Sequence, residues 1–447
     1  MRTTLWIPGW LAAAALCGCA GESNLPNATG DATFRAINVI ATSPAFTFLI
    51  EERALGSVDY RSGSGNSVFD DLEYTFNFDV LLAGDAARTR VASEFVDTVK
   101  DQLYTFVISG AVDAPTITTW VTDRRVWSGT ENLFVAQMAH TAESLGDLDV
   151  YFAAPGTAPA AGQAVATLSF LDVSPAIEYP AGDYVVIYTT AGNPADVVFT
   201  SSTLTPDVAN GFIVSLYDGD ANTTEAVAAR ILNDNGGIST LLSETATATI
   251  RFFHASAALE TSDVYIDEDV TDQILANHAY RDVTGDIAIA PGQTPITYTA
   301  AGNVGSLLYE TTAQTFLDTH TQFYVVGTAG ALVTLQFVPN RRSVETLVRF
   351  TFLHTAHNHP IVDVYVVPSG EGIADVPPRI FSVRPGTSPI TTALPSGDFD
   401  LYMTVATEKT VIVGPVAFSA AYGDVLEYIA YDNVDPATAD LVAIPLP

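Results

Sequence analysis

Short segments with alternating apolar and polar positions follow one another along the chain, and turn-forming residues separate them. Such alternation is typical of half-buried β-strands. One pattern recurs at a fixed spacing: a strand ending in histidine, and an Asp-Val-Tyr triplet that begins nine residues later. Asn38 replaces the histidine in a degenerate first copy. The three complete copies start with His140 and Asp149, His254 and Asp263, and His354 and Asp363.

The second half of each repeat also follows a common pattern. Turns rich in Pro and Gly begin at Pro180, Pro291 and Pro395, and each leads into another strand. Regularly spaced strands with such turns are typical of all-β sandwiches. One stretch is ambiguous, because residues 223–232 fit either a strand or one short helix.

The repeats predict an all-β fold of four tandem immunoglobulin-like β-sandwich domains after a lipoprotein signal peptide. A chain of 447 residues is too long for one core, which supports several domains. The predicted junctions are 123–130, 233–247 and 339–345, and the middle one most resembles a linker. The predicted segments are a signal peptide at 1–18, a lipidated tether at 19–30, and sandwiches at 31–128, 129–245, 246–343 and 344–447.

The N-terminus has the features of an export signal. Arg2 precedes a short apolar run at 11–16, which is too short to cross a bilayer. The ending Leu-Cys-Gly-Cys resembles the bacterial lipobox, which implies cleavage before Cys19 and a lipid on that residue. Ala20 after the cysteine resembles signals for delivery to the outer membrane. The alternative is an ordinary signal peptide in which Cys19 is incidental.

Composition limits the partners. The chain has 51 acidic and 18 basic residues and a net charge of −33, so nucleic acid and anionic lipid headgroups are not expected partners. Both cysteines, Cys17 and Cys19, lie in the N-terminal segment, so the rest of the chain has neither a disulfide nor a cysteine-based metal site. The expected membrane contact is the lipid on Cys19.

The histidines suggest two kinds of site. Each repeated histidine is interpreted as structural, with a hydrogen bond across the turn to a partner such as the aspartate. The functional alternative is one weak ligand site per domain. In the fourth repeat His354, His357 and His359 lie close together in sequence, and imidazoles bind zinc, copper or nickel. The alternative to a metal site is an exposed loop in which only His354 is structural.

Asp218, Asp220 and Asn222 resemble the start of a calcium loop, with oxygen ligands at alternate positions. The later glycine and glutamate of such loops are missing, so an ordinary turn between strands is the alternative. A divalent cation is the only cofactor considered, and otherwise none is expected.

Two arginine pairs lie at equivalent domain boundaries: Arg124 and Arg125 precede the second unit, and Arg341 and Arg342 precede the fourth. We expect them to bridge acidic faces of adjacent domains, since arginine can form two hydrogen bonds with one carboxylate. The alternative is solvated surface arginine, which contributes little to stability.

The units resemble the bacterial family called domain of unknown function 4397, whose pattern is a strand ending in His-Ala-Ser, then Asp-Val-Tyr, then a Pro-Ala-Gly turn. The third unit matches best, with His254-Ala255-Ser256 and the triplet at Asp263. The first unit has lost the His and Asp, which puts a shared binding role for it in doubt. The resemblance implies an immunoglobulin-like sandwich and an exported location, and it implies no activity.

The sequence contains no His-Glu-x-x-His and no Gly-x-Ser-x-Gly motif. We therefore expect a non-catalytic, lipid-anchored envelope protein in the outer membrane, on its periplasmic face or at the cell surface. Its sandwiches would act in binding, in adhesion or as a structural stalk, with an unidentified protein or glycan ligand. The alternatives are a glycan- or metal-binding module in envelope maintenance or uptake, and an enzyme without a recognisable motif.

Overall fold

The computed structural model describes residues 27–433, 435 and 437–444. Within these ranges the chain forms 33 β-strands and no helix. The prediction of tandem β-sandwiches is therefore confirmed. The predicted signal peptide, Cys19 and most of the tether lie outside the described residues.

The strands fall into four groups along the chain. The first group contains β1 Asp31–Asn38, β2 Phe46–Ile50, β3 Arg53–Val58, β4 Ser67–Asp70, β5 Glu73–Val80, β6 Thr89–Asp97, β7 Gln102–Gly110 and β8 Pro115–Asp123. The second contains β9 Leu133–Thr141, β10 Leu148–Ala153, β11 Ala166–Leu168, β12 Ile177–Pro180, β13 Val185–Thr190, β14 Val197–Thr200, β15 Gly211–Asp218, β16 Val227–Asn233 and β17 Ile238–Leu241.

The last two groups repeat this arrangement. The third contains β18 Ala248–His254, β19 Ser262–Tyr265, β20 Gln273–His278, β21 Ile287–Ile289, β22 Gly292–Ala300, β23 Asn303–Thr315, β24 Thr319–Thr328 and β25 Ala331–Phe337. The fourth contains β26 Val348–His354, β27 Val362–Pro368, β28 Ile380–Val383, β29 Ile390–Leu394, β30 Gly397–Val405, β31 Val411–Ala420, β32 Val425–Asp432 and β33 Ala439–Ile444.

Each group folds into one sandwich with the same topology. In the first, the order β4-β1-β7-β8 forms one sheet and β3-β2-β5-β6 forms the other. The first and seventh strands of the group pair in parallel, and their neighbours pair antiparallel. We call the sheet with this parallel pair the inner sheet and the other the outer sheet. Phe34, Phe48, Phe76 and Phe106 fill the core between them.

The inner sheets also pack against each other, so the sandwiches form two pairs. Between the first and second sandwiches, Val107 and Trp120 pack with Ile213 and Tyr217 in a first interdomain core. The inner strands are therefore buried on both faces, which explains their nearly continuous apolar sequences. The second interdomain core joins the third and fourth sandwiches and contains Phe253, Ala255, Tyr324, Val326, Leu353, Ile429, Tyr431 and Ile444.

The structure decides between the two interpretations of one segment and corrects the prediction for another. The ambiguous stretch 223–232 leads into strand β16 and contains no helix. The segment 233–247 is not simply a linker, because β17 lies within it and adds a fifth strand to the inner sheet of the second sandwich. Within the described ranges, no helix long and apolar enough to cross a membrane is present.

Candidate binding clefts at the domain interfaces

The repeated histidines close the turn that follows the first strand of their sandwich. Each ring is almost fully buried, and each Nε2 donates to a backbone carbonyl five or six residues further on. Burial lowers the pKa of all three histidines, to about 4 for His354, so the neutral ring is favoured. The Nε2–O distances are 3.0 Å for His140 and Gly146, 3.3 Å for His254 and Glu260, and 2.7 Å for His354 and His359.

The repeated aspartates accept hydrogen bonds from other segments of their sandwich. The Asp363 carboxylate accepts the amide N–H groups of Ser382 and Thr407 at 2.7 and 2.8 Å. Both amides belong to residues with positive φ, at 56° and 65°. Asp263 accepts the amides of Asn277 and Gly302 in the same way. Asp149 binds the Thr167 hydroxyl and the Gly192 amide. Each aspartate thus links two segments that lie outside its own strand.

The suggested histidine-to-aspartate hydrogen bond is wrong, because the histidine contacts a turn carbonyl and the aspartate contacts other loops. In the degenerate first sandwich Asn38 takes over the turn. Its Oδ1 accepts the amide of Ile40 at 3.0 Å, and its Nδ2 donates to the Ser43 hydroxyl at 2.7 Å. Loss of the histidine therefore leaves the corner hydrogen-bonded.

The three histidines of the fourth sandwich do not converge. His354 uses Nε2 on the carbonyl of His359, and the Nδ1 of His357 lies 2.8 Å from the carbonyl of Thr355. The amides of His357 and Asn358 donate to Asp432 instead. Among the described residues, no group of three or more His, Cys, Asp or Glu side chains is placed to hold a metal.

The calcium-like loop lies at a junction between domains. Protein donors occupy its oxygens: Ser144 donates to Asp218, and Arg61 of the first sandwich forms an ion pair with Asp220 at 3.0 Å. The amide of Arg341 donates to Asn222 Oδ1 at 2.6 Å. The three predicted ligands therefore point to different partners and do not surround one point.

The first arginine pair divides its contacts. Arg124 donates to the hydroxyl of Thr33 in its own sandwich at 2.7 Å. Arg125 forms an ion pair with Glu178 of the second sandwich and lies over the ring of Trp127. Of these contacts, the ion pair between Arg125 and Glu178 is the one that crosses the domain boundary.

The second arginine pair is buried. Arg341 donates two hydrogen bonds to Asp286 of the third sandwich, at 2.6 and 3.0 Å. Burial alone would raise the pKa of Asp286, but hydrogen bonds from His320 and Arg341 lower it well below its usual value. Arg342 donates to the carbonyls of Ala41 and Ser43 and to Asp59.

The contacts of Arg342 connect the linker before the fourth sandwich with the first sandwich. We call this set of contacts the Arg342 clasp. The sequence hypothesis considered carboxylates of adjacent domains, whereas Arg342 reaches a domain distant in sequence and uses mainly carbonyl oxygens. The amide of Glu345, which donates to the carbonyl of Thr42 at 2.8 Å, adds a second link at the same place.

A cleft of about 320 Å³ opens between the third and fourth sandwiches. We call it the 3–4 cleft. Apolar and polar side chains of both domains line it, and Gln322, Arg341 and Glu427 are the buried polar residues among them. The lining includes Gln322, Phe337, Val338, Pro339, Arg341, Thr351, Ser388, Pro389, Val425 and Glu427.

Glu427 is the central polar group of the 3–4 cleft. Its carboxylate is only 5% exposed and accepts the amide of Gln322 at 2.9 Å and the hydroxyl of Tyr324 at 2.8 Å. Burial, and then the Glu427 carboxylate, raise the pKa of Tyr324 well above its usual value. Sequence reasoning missed this residue, although a lone glutamate inside an apolar strand is a signal for a buried polar contact.

A shallower groove of about 410 Å³ lies beside the linker between the first two sandwiches. Trp127 is half-buried there, and Asp207, Asn210 and Arg124 lie around it. An aromatic face with carboxylate, amide and guanidinium groups nearby can both stack on a flat ligand and hydrogen-bond to it.

This fold and motif define a tandem β-sandwich protein that contains a DUF4397-like domain. The model of the family described as "Domain of unknown function (DUF4397)" matches residues 248–365, which cover the third sandwich and the first two strands of the fourth as far as Tyr365. The resemblance predicted for the third unit is therefore confirmed. No curated protein matches the chain.

Among solved structures, the chain is similar to "The Bacillus anthracis TIE protein" at 10% identity. The similarity covers 91% of this chain and 69% of that chain, with a TM-score of 0.15. At this score the likeness carries no argument about shape or function.

Proposed function

We propose that this protein is a non-catalytic, lipid-anchored binding protein of the bacterial cell envelope. The observation that carries the proposal is the packing of inner sheet against inner sheet. Domains that serve as a stalk are joined end to end, because this arrangement gives the greatest length per residue. Side-by-side packing shortens the molecule and creates clefts at the domain seams, where ligand sites are commonly found.

The 3–4 cleft has the chemistry of a small-molecule site. Its walls contain Phe337, Val338 and Pro389, and its base contains the Glu427 carboxylate and the Arg341 guanidinium. Apolar walls with a few placed polar groups are typical of ligand pockets. We propose that it takes a ligand with an apolar body and a hydrogen-bond donor directed at Glu427.

Native mass spectrometry of the protein released from its own envelope tests this proposal. We expect a bound small molecule in the wild type and its loss in Ser388→Trp, because Ser388 is exposed at the mouth of the cleft and indole would fill it. Ser57→Trp, at an exposed position of β3, is the control and retains the ligand. A wild type without any bound species, or equal loss in both variants, contradicts the proposal.

The anchor is a separate part of the proposal and rests on the resemblance of the N-terminal cysteine signal to a lipobox. Growth with a radioactive fatty acid should label the wild type, and Cys19→Ala should abolish the label. Cys17→Ala is the matched control and keeps it, because Cys17 precedes the expected cleavage point. Label that persists in Cys19→Ala contradicts the assignment.

Glycan binding is the second candidate, and the groove around Trp127 favours it. Aromatic faces stack on sugar rings while amides and carboxylates bond to their hydroxyl groups. Trp127→Ala should abolish retention of the protein on purified envelope polysaccharide, whereas Trp127→Phe should keep part of it. Equal retention of the wild type and Trp127→Ala would exclude this groove as the glycan site.

A further inference from the structure

A polar groove of about 430 Å³ lies at the seam between the first and second sandwiches. One wall is the loop 61–65 that follows β3, and the other is formed by Arg230 on β16 with Gly236, Ser239 and Thr240. It is separate from the 3–4 cleft and from the groove around Trp127. We call it the 1–2 groove.

The charge of the 1–2 groove is opposite to that of the whole protein. The chain has 51 acidic and 18 basic residues, but the described lining of the groove has two arginines and no carboxylate. The ion pair with Asp220 compensates the charge of Arg61. Arg230 forms no ion pair with any described residue and donates only to the hydroxyl of Thr240. No described carboxylate therefore contacts the guanidinium of Arg230, although Asp318 and Asp220 act on its charge from further away.

The arginines also carry unused hydrogen-bond donors. Arg61 is only 8% exposed, and its Nη1, like the Nε of Arg230, is buried with no partner within the described part of the chain. Buried polar groups are normally hydrogen-bonded, and a charged donor left unsatisfied costs stability. Burial, and then the charge of Arg61, lower the pKa of Arg230. An anion between the two groups would satisfy both donors and reduce their repulsion.

The wall formed by loop 61–65 is fixed in position. A Cβ on Gly63 would come within 2.6 Å of Ile238 Cδ1, so the loop packs directly on β17. The hydroxyl of Ser62 donates to the carbonyl of Asp59, just before the loop, and that of Ser64 donates to the carbonyl of Gly65, and both bonds hold the shape of the loop. This wall of the groove is thus held in place before a ligand binds.

We propose that the 1–2 groove binds an oxyanion, a phosphate, sulfate or carboxylate group, between the guanidinium groups of Arg61 and Arg230. Guanidinium groups recognise such anions through paired, charge-assisted hydrogen bonds. The anion can be a free inorganic ion or the acidic group of a sugar, since both present the same oxygens.

Calorimetric titration of the full chain at constant ionic strength tests the proposal, with inorganic phosphate, inorganic sulfate and glucuronate as probes. We expect saturable binding of at least one probe at one site. Tighter binding of glucuronate would identify a sugar acid as the source, and tighter binding of phosphate or sulfate would identify a free ion. No saturable binding of any probe would overturn the proposal.

Two variants locate the site. Arg230→Gln should weaken binding about ten- to a hundredfold, because a charge-assisted hydrogen bond is lost. Ser239→Glu, at an exposed position of the lining, should have the same effect without touching a buried group. Arg379→Gln is the matched control, since Arg379 also donates to a threonine hydroxyl but lies in the fourth sandwich. Unchanged affinity in Arg230→Gln and Ser239→Glu, or equal loss in Arg379→Gln, would overturn the assignment.

Discussion

In the fourth repeat Asp363 compensates for unusual backbone conformation at two positions. Ser382 and Thr407 have positive φ, a region that side chains with a Cβ rarely adopt. Such residues cost free energy and persist only when their surroundings hold them. The Asp363 carboxylate holds both residues in this conformation because it accepts the hydrogen bonds of their amides.

Asp363→Asn should therefore destabilise the protein while preserving the side-chain shape. One carboxylate oxygen becomes an NH₂ group, which cannot accept an amide N–H. The expected cost is about 1–3 kcal/mol, measured as a lower urea midpoint. Asp183→Asn, at an exposed aspartate that accepts from the Thr205 hydroxyl, is the control and should change the midpoint little. Equal midpoints for the two variants would contradict this role.

The buried histidines predict a loss of stability in mild acid. Burial, and then the charge of His254, lower the pKa of His278 to about 4, and burial lowers that of His354 to about 4. In the unfolded chain both titrate near 6.5. Below that pH the unfolded state binds more protons, so the stability present above about 6.5 is lost as pH falls towards 4.

His278→Gln tests this linkage. Each buried histidine lowers stability by up to about 1.4 kcal/mol for each pH unit in this window. The variant should have a shallower dependence of the urea midpoint on pH between 6.5 and 4, whatever its stability at neutral pH. His357→Gln is the control, because His357 is not among the buried side chains. A pH dependence in His278→Gln as steep as in the wild type would refute the explanation.

At the level of strands, alternation predicted the sandwiches but not their partners. Edge strands such as β31, in which half-buried and exposed positions alternate from Gly414 to Ser419, follow the expected period of two. Central strands of the inner sheets do not: β24 is buried at seven successive positions. Such runs in the sequence, as at 212–216, indicate burial on both faces, but a run alone does not say which surface covers the second face.

The candidate sites were predictable only in part. The recurring spacing predicts that the repeated histidines and aspartates matter, but most of their partners are backbone groups, whose positions the spacing does not give. Glu427 and Gln322 belong to different domains and meet only at the interface. Neither residue alone therefore predicts the 3–4 cleft. The arginine pairs are conspicuous in an acidic sequence. The acceptors of Arg342, however, lie about 300 residues away and are brought close only when the domains pack together.

The second interdomain core predicts that the third and fourth sandwiches fold best together. A fragment of residues 344–447 exposes Leu353, Ile429 and Tyr431, which are fully buried in the full chain. Burial of each such side chain stabilises by about 1.5–3 kcal/mol. The fragment 246–447 should therefore melt cooperatively and at a clearly higher temperature than 344–447. Equal melting temperatures, measured by circular dichroism, would show that the sandwich is independent of its neighbour.

Across the whole molecule, the Arg342 clasp joins the two domain pairs. Arg342 is only 7% exposed, and its guanidinium donates to two carbonyls and one carboxylate of the first sandwich. Such contacts restrict movement of one pair against the other. The two carbonyl contacts depend little on salt, since their acceptors are uncharged and the arginine is buried, whereas the ion pair with the exposed Asp59 is screened.

Arg342→Ser should loosen the molecule, which small-angle scattering would record as a larger radius of gyration. The wild type should keep its scattering profile as the salt concentration rises. Arg88→Ser, at an exposed arginine that donates to a single carbonyl, is the control and should scatter like the wild type. An unchanged profile in Arg342→Ser would assign the coupling between the pairs to other contacts.

The parallel pairing of β1 with β7 also determines how the first sandwich bears mechanical load. Force that enters through the residues before Asp31 pulls on the start of β1, and force from the second sandwich pulls on the end of β8 at Asp123, which pairs with Gln102 at the same end of the sheet. Both pulls therefore act at one end of the inner sheet, so the ladder from Gln102↔Asp123 to Gly110↔Pro115 is loaded one hydrogen bond after another. Trp120 on β8, which packs in the first interdomain core, is therefore the side chain that holds this strand against traction.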